Sequence, residues 1–338
     1  MQEFSKSWKP RLIKSLKIAV AAVVAIAVAG ELGLKYSASA GIITILSIQN
    51  TKRETLRSAG NRGLAFLGAL VLAAASFQMF DYTLWAFAVY LLLFALLCLG
   101  AGWMEALAMD SVLITHFLSE GNMQPELLLN ECLIFLIGTG IGILVNLHLR
   151  RRGAEFERLA NEVDEQIKGI IKRMSQWLPK ENKDTYNDSC FGALKAALEA
   201  AKLCAAANYN NELFRGDTSE LDYIRMREQQ SVILKEIYVN IKNISYLPKQ
   251  TLQVAALLEQ IEKEYHKENT VEGLLADLEE LFKDMKGQEL PESREEFEAR
   301  AILFYILMQI KNLLELKREF VMAKVPEHKS KSIPKGRG

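Results

Sequence analysis

The chain has 338 residues, of which 41 are basic and 41 acidic, so its formal net charge is zero. Half of the residues are apolar, and the mean hydropathy of +0.06 is close to neutral. These averages exclude a disordered chain, a collagen-like repeat and a strongly basic nucleic-acid binder, so no nucleic-acid partner is expected.

The charge is distributed unevenly along the chain. Residues 1–152 hold 13 basic and 9 acidic residues, a net of +4, and the remaining residues carry a net of −4. The two parts meet at the basic segment Arg150-Arg151-Arg152. We therefore predict three segments: a membrane domain over 1–152, a helical domain over 153–325 and a disordered basic tail over 326–338.

The first part contains long apolar runs. Leu64–Phe80, Leu84–Gly102 and Leu133–Leu149 lack acidic and basic residues, and Ile18–Gly30 is entirely apolar. A helix of 17–20 residues matches a hydrocarbon core of roughly 30 Å. Two shorter segments are apolar but carry polar residues, which gives six predicted spans near 16–34, 38–51, 63–80, 84–101, 103–119 and 131–149. A cleavable signal peptide is the alternative for the first run, but five further hydrophobic segments argue against it.

The basic residues predict the orientation of these spans. They flank the first span, follow the second span and follow the sixth, whereas the other loops hold mainly acidic residues, including Glu120, Glu126 and Glu131. Basic loops stay on the cytoplasmic side, so both termini are expected in the cytoplasm. In each half of this part, a short polar span lies between two long apolar spans. This pattern predicts an inverted repeat of three helices with a site near the second and fifth spans.

Beyond Gly153 the pattern is amphipathic and helical, without sustained strand alternation. We predict that the first helix continues directly from the sixth span and ends at Pro179. Further helices are expected near 185–208, 218–246, 250–267 and 270–286, and a last one from Pro291 to about Ala323, with Ser293 and Glu296 in capping-box spacing. The fold class is therefore all-α: six membrane helices followed by a cytosolic helical bundle.

Polar residues within the apolar runs are the candidate functional residues, because ionisable groups in lipid usually face a cavity or a partner. The fifth span carries Glu105, Asp110 and His116. Glu105 and His116 share one face about 16 Å apart along the axis, and Asp110 is central. These three are the proton-coupling candidates. The alternative is that Glu105 and His116 only anchor the helix at the two membrane interfaces.

The second span carries a stripe of small and hydroxyl residues that includes Thr44 and Ser47, with Gln49 close by. The stripe predicts either a hydrogen-bonding wall for a polar ligand or close helix packing. Thr44, Ser47 and Gln49 are the candidate substrate contacts. Lys35, Arg53 or Arg62 could attract an anion, although topology explains the last two equally well. In the sixth span, the segment 138–142 (GTGIG) predicts a helix contact.

Motifs for catalysis are lacking in the sequence. It contains no phosphate-binding loop, GxSxG, HExxH or EF-hand pattern, and its four cysteines form no CxxC pair. We therefore expect no enzyme activity, no cofactor and no metal, and we interpret the cysteines as free thiols.

The segment from Tyr36 to Thr55 (YSASAGIITILSIQNTKRET), followed by Arg62-Gly63 and a Gly/Ala-rich span, resembles the aromatic acid exporter family. It resembles the branch with six N-terminal spans and a helical cytosolic domain, within a superfamily that includes fusaric-acid-resistance-type transporters. The resemblance implies a bacterial cytoplasmic (inner) membrane protein that exports aromatic carboxylates or related organic anions by proton exchange. Related longer chains carry a duplicated membrane block, which implies a homodimer here.

Two functions of different classes follow. The first is a membrane exporter of small aromatic or organic anions. The second is a membrane-anchored scaffold without transport activity, whose helical domain binds a protein partner. The polar content of the short spans favours the exporter, because an anchor does not need it.

Overall fold

The computed structural model describes residues 2–149, 151–213, 217–265 and 269–324, and of residues 2–7, 9, 10 and 324 only the backbone. Over these ranges it contains twelve helices and no strand, which confirms the all-α fold class. The helices are α1 (Gln2–Glu31), α2 (Ala38–Ser47), α3 (Lys52–Phe80), α4 (Leu84–Ala101), α5 (Met104–Glu120), α6 (Pro125–Leu147), α7 (Gly153–Trp177), α8 (Cys190–Asn211), α9 (Ser219–Asn243), α10 (Gln250–Glu264), α11 (Glu272–Lys286) and α12 (Arg294–Lys324). The predicted tail over 326–338 lies outside the described residues.

The chain divides into two compact units. The first comprises Met1–Arg151 and Ala207–Gly216, and the second comprises Arg152–Ala206 and Asp217–Gly338. In the first unit many large apolar side chains of α1, α3, α4 and α6 are exposed, for example Val71 at 70 % and Leu144 at 68 %. A soluble surface rarely carries so much contiguous apolar area, whereas lipid-facing helices require it. The first unit is therefore called the membrane unit, and the second the helical unit.

The membrane unit corrects the prediction of six full spans. Four helices are long and apolar enough to cross a membrane: α1 over Arg11–Glu31, α3, α4 and α6. α2 has 10 residues, about 15 Å at the rise of a helix, because the chain becomes extended at Ile48. α5 has 17 residues and carries Glu105 and Asp110. Two of the six predicted segments are thus short helices within the unit.

Local signals explain where these helices begin and end. The Thr51 and Thr83 hydroxyls accept hydrogen bonds from the backbone N–H of Glu54 and Ala86, which caps α3 and α4 at their N-termini. Gly102 ends α4 and Gly121 ends α5 in the left-handed conformation. Pro125 occupies the first turn of α6, so this helix begins six residues before the predicted span near 131–149.

Helix packing in the membrane unit follows a simple scheme. α2 packs against α1 and α6, and α5 packs against α3 and α4. α1 also contacts α6, and α3 contacts α4. Three further pairs join these groups: α3 with α6, α2 with α5 and α2 with α3. The glycines at 138 and 142 face α2, which confirms the predicted helix contact of the GTGIG segment. Each short helix therefore packs against two longer helices, although the α2 side chains Ile42, Ile45 and Leu46 are exposed.

The helical unit buries the apolar faces of α7–α12 in one core. The apolar residues that recur at helix spacing in α7 and α8 are buried, as the amphipathic pattern predicted: Phe156, Leu159, Val163, Ile167, Ile170, Ile171, Met174, Leu194, Leu198, Ala201 and Ala205. The Ser293 hydroxyl accepts from the N–H of Glu296, as the capping-box spacing predicted. One expectation was wrong: α6 ends at Leu147 and α7 begins separately at Gly153. The α12 side chains Phe297, Phe304, Tyr305 and Met308 are exposed.

Candidate functional site

At one end of α5, Glu105 is the centre of a polar cluster formed with Ser58, Arg62 and Gln49, here called the Glu105 cluster. The Ser58 hydroxyl donates to the Glu105 carboxylate at 2.8 Å, and the Gln49 amide reaches it at 3.5 Å. The Arg62 guanidinium lies 3.6 Å from the same carboxylate and donates to the carbonyl of Leu46 at 2.6 Å. Only 5 % of the Arg62 side chain is exposed, so a buried cation is fixed between α2, α3 and α5.

A cavity of about 310 Å³ opens beside this cluster. Its wall combines two guanidinium groups, an amide, a hydroxyl and an indole ring, together with two carboxylates: Glu54, Arg57, Ser58, Asn61, Arg62, Gly102, Trp103, Met104, Glu105 and Ala106. Guanidinium groups bind carboxylates in a bidentate manner, and an indole offers a flat surface to an aromatic ring. The cavity is therefore chemically suited to a small aromatic anion.

Asp110 lies one and a half turns further along α5 and is fully buried. Neither of its carboxylate oxygens has a hydrogen-bond partner among the described residues. The charge that acts on it is the guanidinium of Arg62. An unpaired carboxylate in the interior of a membrane protein is costly unless it binds a proton or a cation, so its position fits a proton carrier.

At the other end of α5, His116 forms a second cluster with the buried residues Glu131, Ser39 and Asn130 and the exposed Tyr36, here called the His116 cluster. The Nδ1 atom of His116 lies 2.7 Å from Oε2 of Glu131, and its Nε2 atom lies 3.2 Å from the Ser39 hydroxyl. The other oxygen of Glu131 accepts from the Asn130 amide at 2.9 Å. The Tyr36 ring stacks on the imidazole at 4.0 Å between centroids.

Lys35 lies at the edge of this cluster. Its ammonium group forms an ion pair with Glu120 at 3.0 Å and is largely exposed. The Asn130 side chain accepts from the backbone N–H of Lys35 and donates to its carbonyl, which fixes the loop before α2. Lys35 is thus near the His116 cluster and is not part of the Glu105 cluster.

Thr44 and Ser47 occupy the contact between α2 and α6. The Thr44 hydroxyl donates to the carbonyls of Ala40 and Gly138 at 2.8 and 3.0 Å. The Ser47 hydroxyl accepts from Arg62 at 3.5 Å. Thr44 therefore has the surroundings of a packing residue, while Ser47 and Gln49 border the Glu105 cluster. The predicted site residues do not form one group: they fall into two clusters at the ends of α5, with Asp110 between them.

Sequence reasoning missed the role of Glu131. It was interpreted as a loop residue, but it lies inside α6 and is fully buried. The interpretation was wrong because α6 begins at Pro125, so that Glu131 is in its second turn. A signal was available: Glu131, Gly138 and Gly142 are spaced by seven and four residues, which places them on one helix face. Trp103 and Asn61 of the cavity were also missed.

The helical unit contains a buried polar cluster of its own. The Arg227 guanidinium forms an ion pair with Asp164 at 2.7 Å and lies over the rings of Tyr223 and Tyr265. The Lys317 ammonium lies 4.1 Å from the centre of the Tyr265 ring. Burial lowers the pKa of Lys317 to about 7, and Arg227 acts in the same direction. Burial raises the pKa of Tyr223. These contacts join α7, α9 and α12 in the core.

Two further expectations concern the metal ligands and the cysteines of the chain. Within the described ranges, no group of three His, Cys, Asp or Glu side chains has the arrangement of a metal site. The four cysteines are free, as predicted; Cys98 is buried and the others are partly buried.

Comparisons with known proteins agree with the sequence resemblance. Residues 12–149 match the family model "Aromatic acid exporter family member 1", and residues 154–318 match "Putative aromatic acid exporter C-terminal domain". The Bacillus subtilis (strain 168) protein named "Uncharacterized protein YqjA" is 26% identical over 307 residues, which is 91% of this chain and 95% of that protein. A solved chain titled "Crystal structure of putative membrane protein from Clostridium difficile 630" is 25% identical, with a TM-score of 0.43 over 49% of this chain and 98% of its own.

Proposed function

The chain belongs to the aromatic acid exporter family, and from this premise we propose that it exports small aromatic carboxylates in exchange for protons. The family is one of transporters, and the chain is a multi-pass membrane protein with apolar helices exposed for lipid. We further propose that it lies in the bacterial cytoplasmic membrane with both termini in the cytoplasm and the helical unit cytosolic. In that orientation the Glu105 cluster is on the cytoplasmic side.

The observation that carries the proposal is the buried guanidinium of Arg62 beside the cavity that contains Trp103. A cytosolic aromatic acid entering there would meet a cation for its carboxylate and an indole for its ring. Ser47 and Gln49 border the same cluster and remain proposed substrate contacts. Thr44 and Lys35 remain proposed parts of the pathway, although Thr44 is engaged in helix packing.

The proposed coupling group is Asp110, assisted by Glu105 or His116. Asp110 is the fully buried carboxylate of α5, and Arg62 is the cation that acts on it. Exchange requires that the inward-moving proton and the outward-moving anion are not carried together. Asp110 would therefore carry the proton on the inward step, when Arg62 holds no anion. The packing of α2 and α5 in equivalent positions of the two halves supports the proposed inverted repeat.

The test is flux of a labelled aromatic acid in vesicles that contain the purified full-length chain. We expect pH-gradient-dependent movement of benzoate or salicylate in the wild type, and its loss in Arg62→Gln and Asp110→Asn. Arg11→Gln is the matched control, because this exposed arginine of α1 removes the same charge outside the cavity. Equal flux in Asp110→Asn would refute the proton role of that residue.

A second candidate is the scaffold function, favoured by the exposed apolar residues Phe297, Phe304, Tyr305 and Met308 on α12. This surface would suit a protein partner. Absence of flux for every aromatic acid tested, together with a stable complex that Phe304→Glu disrupts, would support the scaffold against the exporter. The proposed homodimer is tested separately by the mass of the purified chain in detergent.

A further inference from the structure

We propose that His116 and Glu131 form the proton-loading pair of the exporter, a site distinct from the Glu105 cluster and its cavity. The proposal rests on the proposed proton-coupled function. His116 belongs to α5 and Glu131 to α6, so the pair joins two helices of the membrane unit. Both side chains are buried, Glu131 completely.

The hydrogen bonds around the pair suit two protonation states. When the imidazole is neutral with its proton on Nδ1, that proton bonds to Glu131 at 2.7 Å, and Nε2 accepts from the Ser39 hydroxyl. When the imidazole gains a proton, Nε2 donates to the Ser39 oxygen instead, because a hydroxyl can reverse its role. The Glu131 oxygen that does not face His116 keeps its bond from Asn130 in both states. With one added proton, both imidazole nitrogens and both Glu131 oxygens therefore keep a hydrogen-bond partner.

Two groups face the His116 ring. The Glu131 carboxylate lies 2.7 Å from Nδ1, and the Tyr36 ring stacks on the imidazole with 6° between the ring planes, an arrangement that can also accommodate a cation. The other ionisable groups near the pair are Glu120 and Cys132: Glu120 accepts from the Tyr36 hydroxyl at 3.1 Å, and Cys132 follows Glu131 on α6. Lys35 neutralises Glu120 at 3.0 Å. The pair is thus the buried end of a chain of polar groups.

That chain leads to the surface. Glu120 and Tyr36 are partly exposed at the end of α5, so water can reach the hydroxyl of Tyr36. Tyr36 has a φ of 59°, in the left-handed region that a bulky residue rarely adopts. Such a strained conformation persists where its surroundings fix it, often at functional sites. Here the stacking on His116 and the bond to Glu120 hold the ring in place.

The proton balance is simple. A proton from the external solution binds the pair and converts the neutral imidazole with its carboxylate into an imidazolium with its carboxylate. The same proton leaves to the cytoplasmic side when the transporter has exchanged it for an anion. No bond other than N–H forms or breaks, and no co-reactant is needed.

The experiment compares two modes of transport in vesicles containing the full-length chain and labelled benzoate. Benzoate exchange at equal pH needs no net proton movement, whereas accumulation against a gradient does. With the membrane potential clamped at zero, one coupled proton supports about a tenfold benzoate gradient per pH unit. We expect Glu131→Gln and His116→Gln to retain exchange and to lose this gradient. Glu126→Gln, an exposed carboxylate in the first turn of α6, is the matched control and should behave as the wild type.

The outcomes separate the two proposals. If the wild type moves no benzoate, the exporter function fails and this inference fails with it. If the wild type accumulates benzoate and Glu131→Gln accumulates it equally, the inference alone is refuted. If Glu131→Gln also loses exchange, Glu131→Asp decides, because it keeps a titratable carboxyl. If Glu131→Asp restores exchange and accumulation, the His116–Glu131 pair is supported as the proton carrier. If it restores neither, Glu131 has a structural role and the inference is overturned.

Discussion

The contact between α2 and α6 provides a sharp test of the packing in the membrane unit. A Cβ atom added at Gly138 would lie 2.7 Å from the Ala40 carbonyl oxygen and 2.7 Å from the Ile43 side chain. A Cβ atom at Gly140, half a turn away on the same helix, would meet no atom within 4 Å. The two glycines therefore share a helix but differ in what an added methyl group meets.

The expected magnitude follows from two effects. Replacing glycine by alanine in a helix gains about 1 kcal/mol from the backbone, and this gain is common to both positions. Forcing a methyl group into a filled contact costs about 1–3 kcal/mol, and this cost applies only at Gly138. Gly138→Ala should therefore be about 1–3 kcal/mol less stable than Gly140→Ala. The backbone carbonyl of Ala40 cannot rotate away as a side chain could, so α2 itself must shift.

The measurement is unfolding of the full-length chain in mixed detergent micelles by added sodium dodecyl sulfate, followed by the fluorescence of its four tryptophans. Gly142→Ala, whose added atom would lie 2.6 Å from the Ser47 side chain, should behave as Gly138→Ala does. Equal stability of the three alanine variants would refute the close contact. It would instead favour the interpretation that Thr44 and Ser47 of α2 form a hydrogen-bonding wall for a ligand.

Three further predictions concern the helical unit. Asp164→Asn should lower the unfolding free energy by about 3–5 kcal/mol, because it leaves the buried Arg227 without its carboxylate. Replacing both Asp164 and Arg227 by apolar residues should cost less, and chemical denaturation measures both variants. Burial lowers the pKa of Lys317 to about 7. Above that pH the folded state therefore binds fewer protons than the unfolded state. The unfolding free energy of the wild type, compared with that of Lys317→Met, should rise by about 2–3 kcal/mol from pH 7 to pH 9. A flat difference across this range would contradict the burial effect. Ser293→Ala should destabilise the start of α12 by about 1 kcal/mol, seen as faster amide exchange confined to its first turns.

Much of the architecture could be predicted from the sequence, because hydropathy and helix period report on burial directly. The change of charge density at the arginine trio separated apolar from amphipathic helices, and the positions predicted for α7 and α8 are buried. The last helix shows the limit of this reasoning. Phe304 and Met308 are apolar and recur at helix spacing, yet the structure buries Leu303 and Leu307 one position earlier. An apolar pattern around most of a helix does not decide which stripe faces the core.

The candidate site was harder to predict, because it depends on where the helices begin. Glu105, Asp110 and His116 could be selected as ionisable residues in an apolar segment. The partners of His116 could not, since Glu131 counts as a loop residue until α6 is known to begin at Pro125. The bond between Ser39 and His116 joins residues 77 positions apart. No periodicity within one segment contains that information.

The two short helices differ in chemistry although they pack in equivalent ways. In an inverted repeat, α1, α2 and α3 would correspond to α4, α5 and α6. Under this correspondence the contacts of α2 with α1 and α6 match those of α5 with α4 and α3, and the α2–α5 contact matches itself. Short helices at matching positions of an inverted repeat border the substrate site in transporters of this design. Here α5 carries Glu105, Asp110 and His116, whereas α2 carries only uncharged polar groups, with Thr44 bonded to backbone carbonyls. We therefore assign the proposed coupling proton to α5 and the helices that contact it. Loss of the charged groups of α5 should change coupling, and loss of the Thr44 hydroxyl should change stability instead.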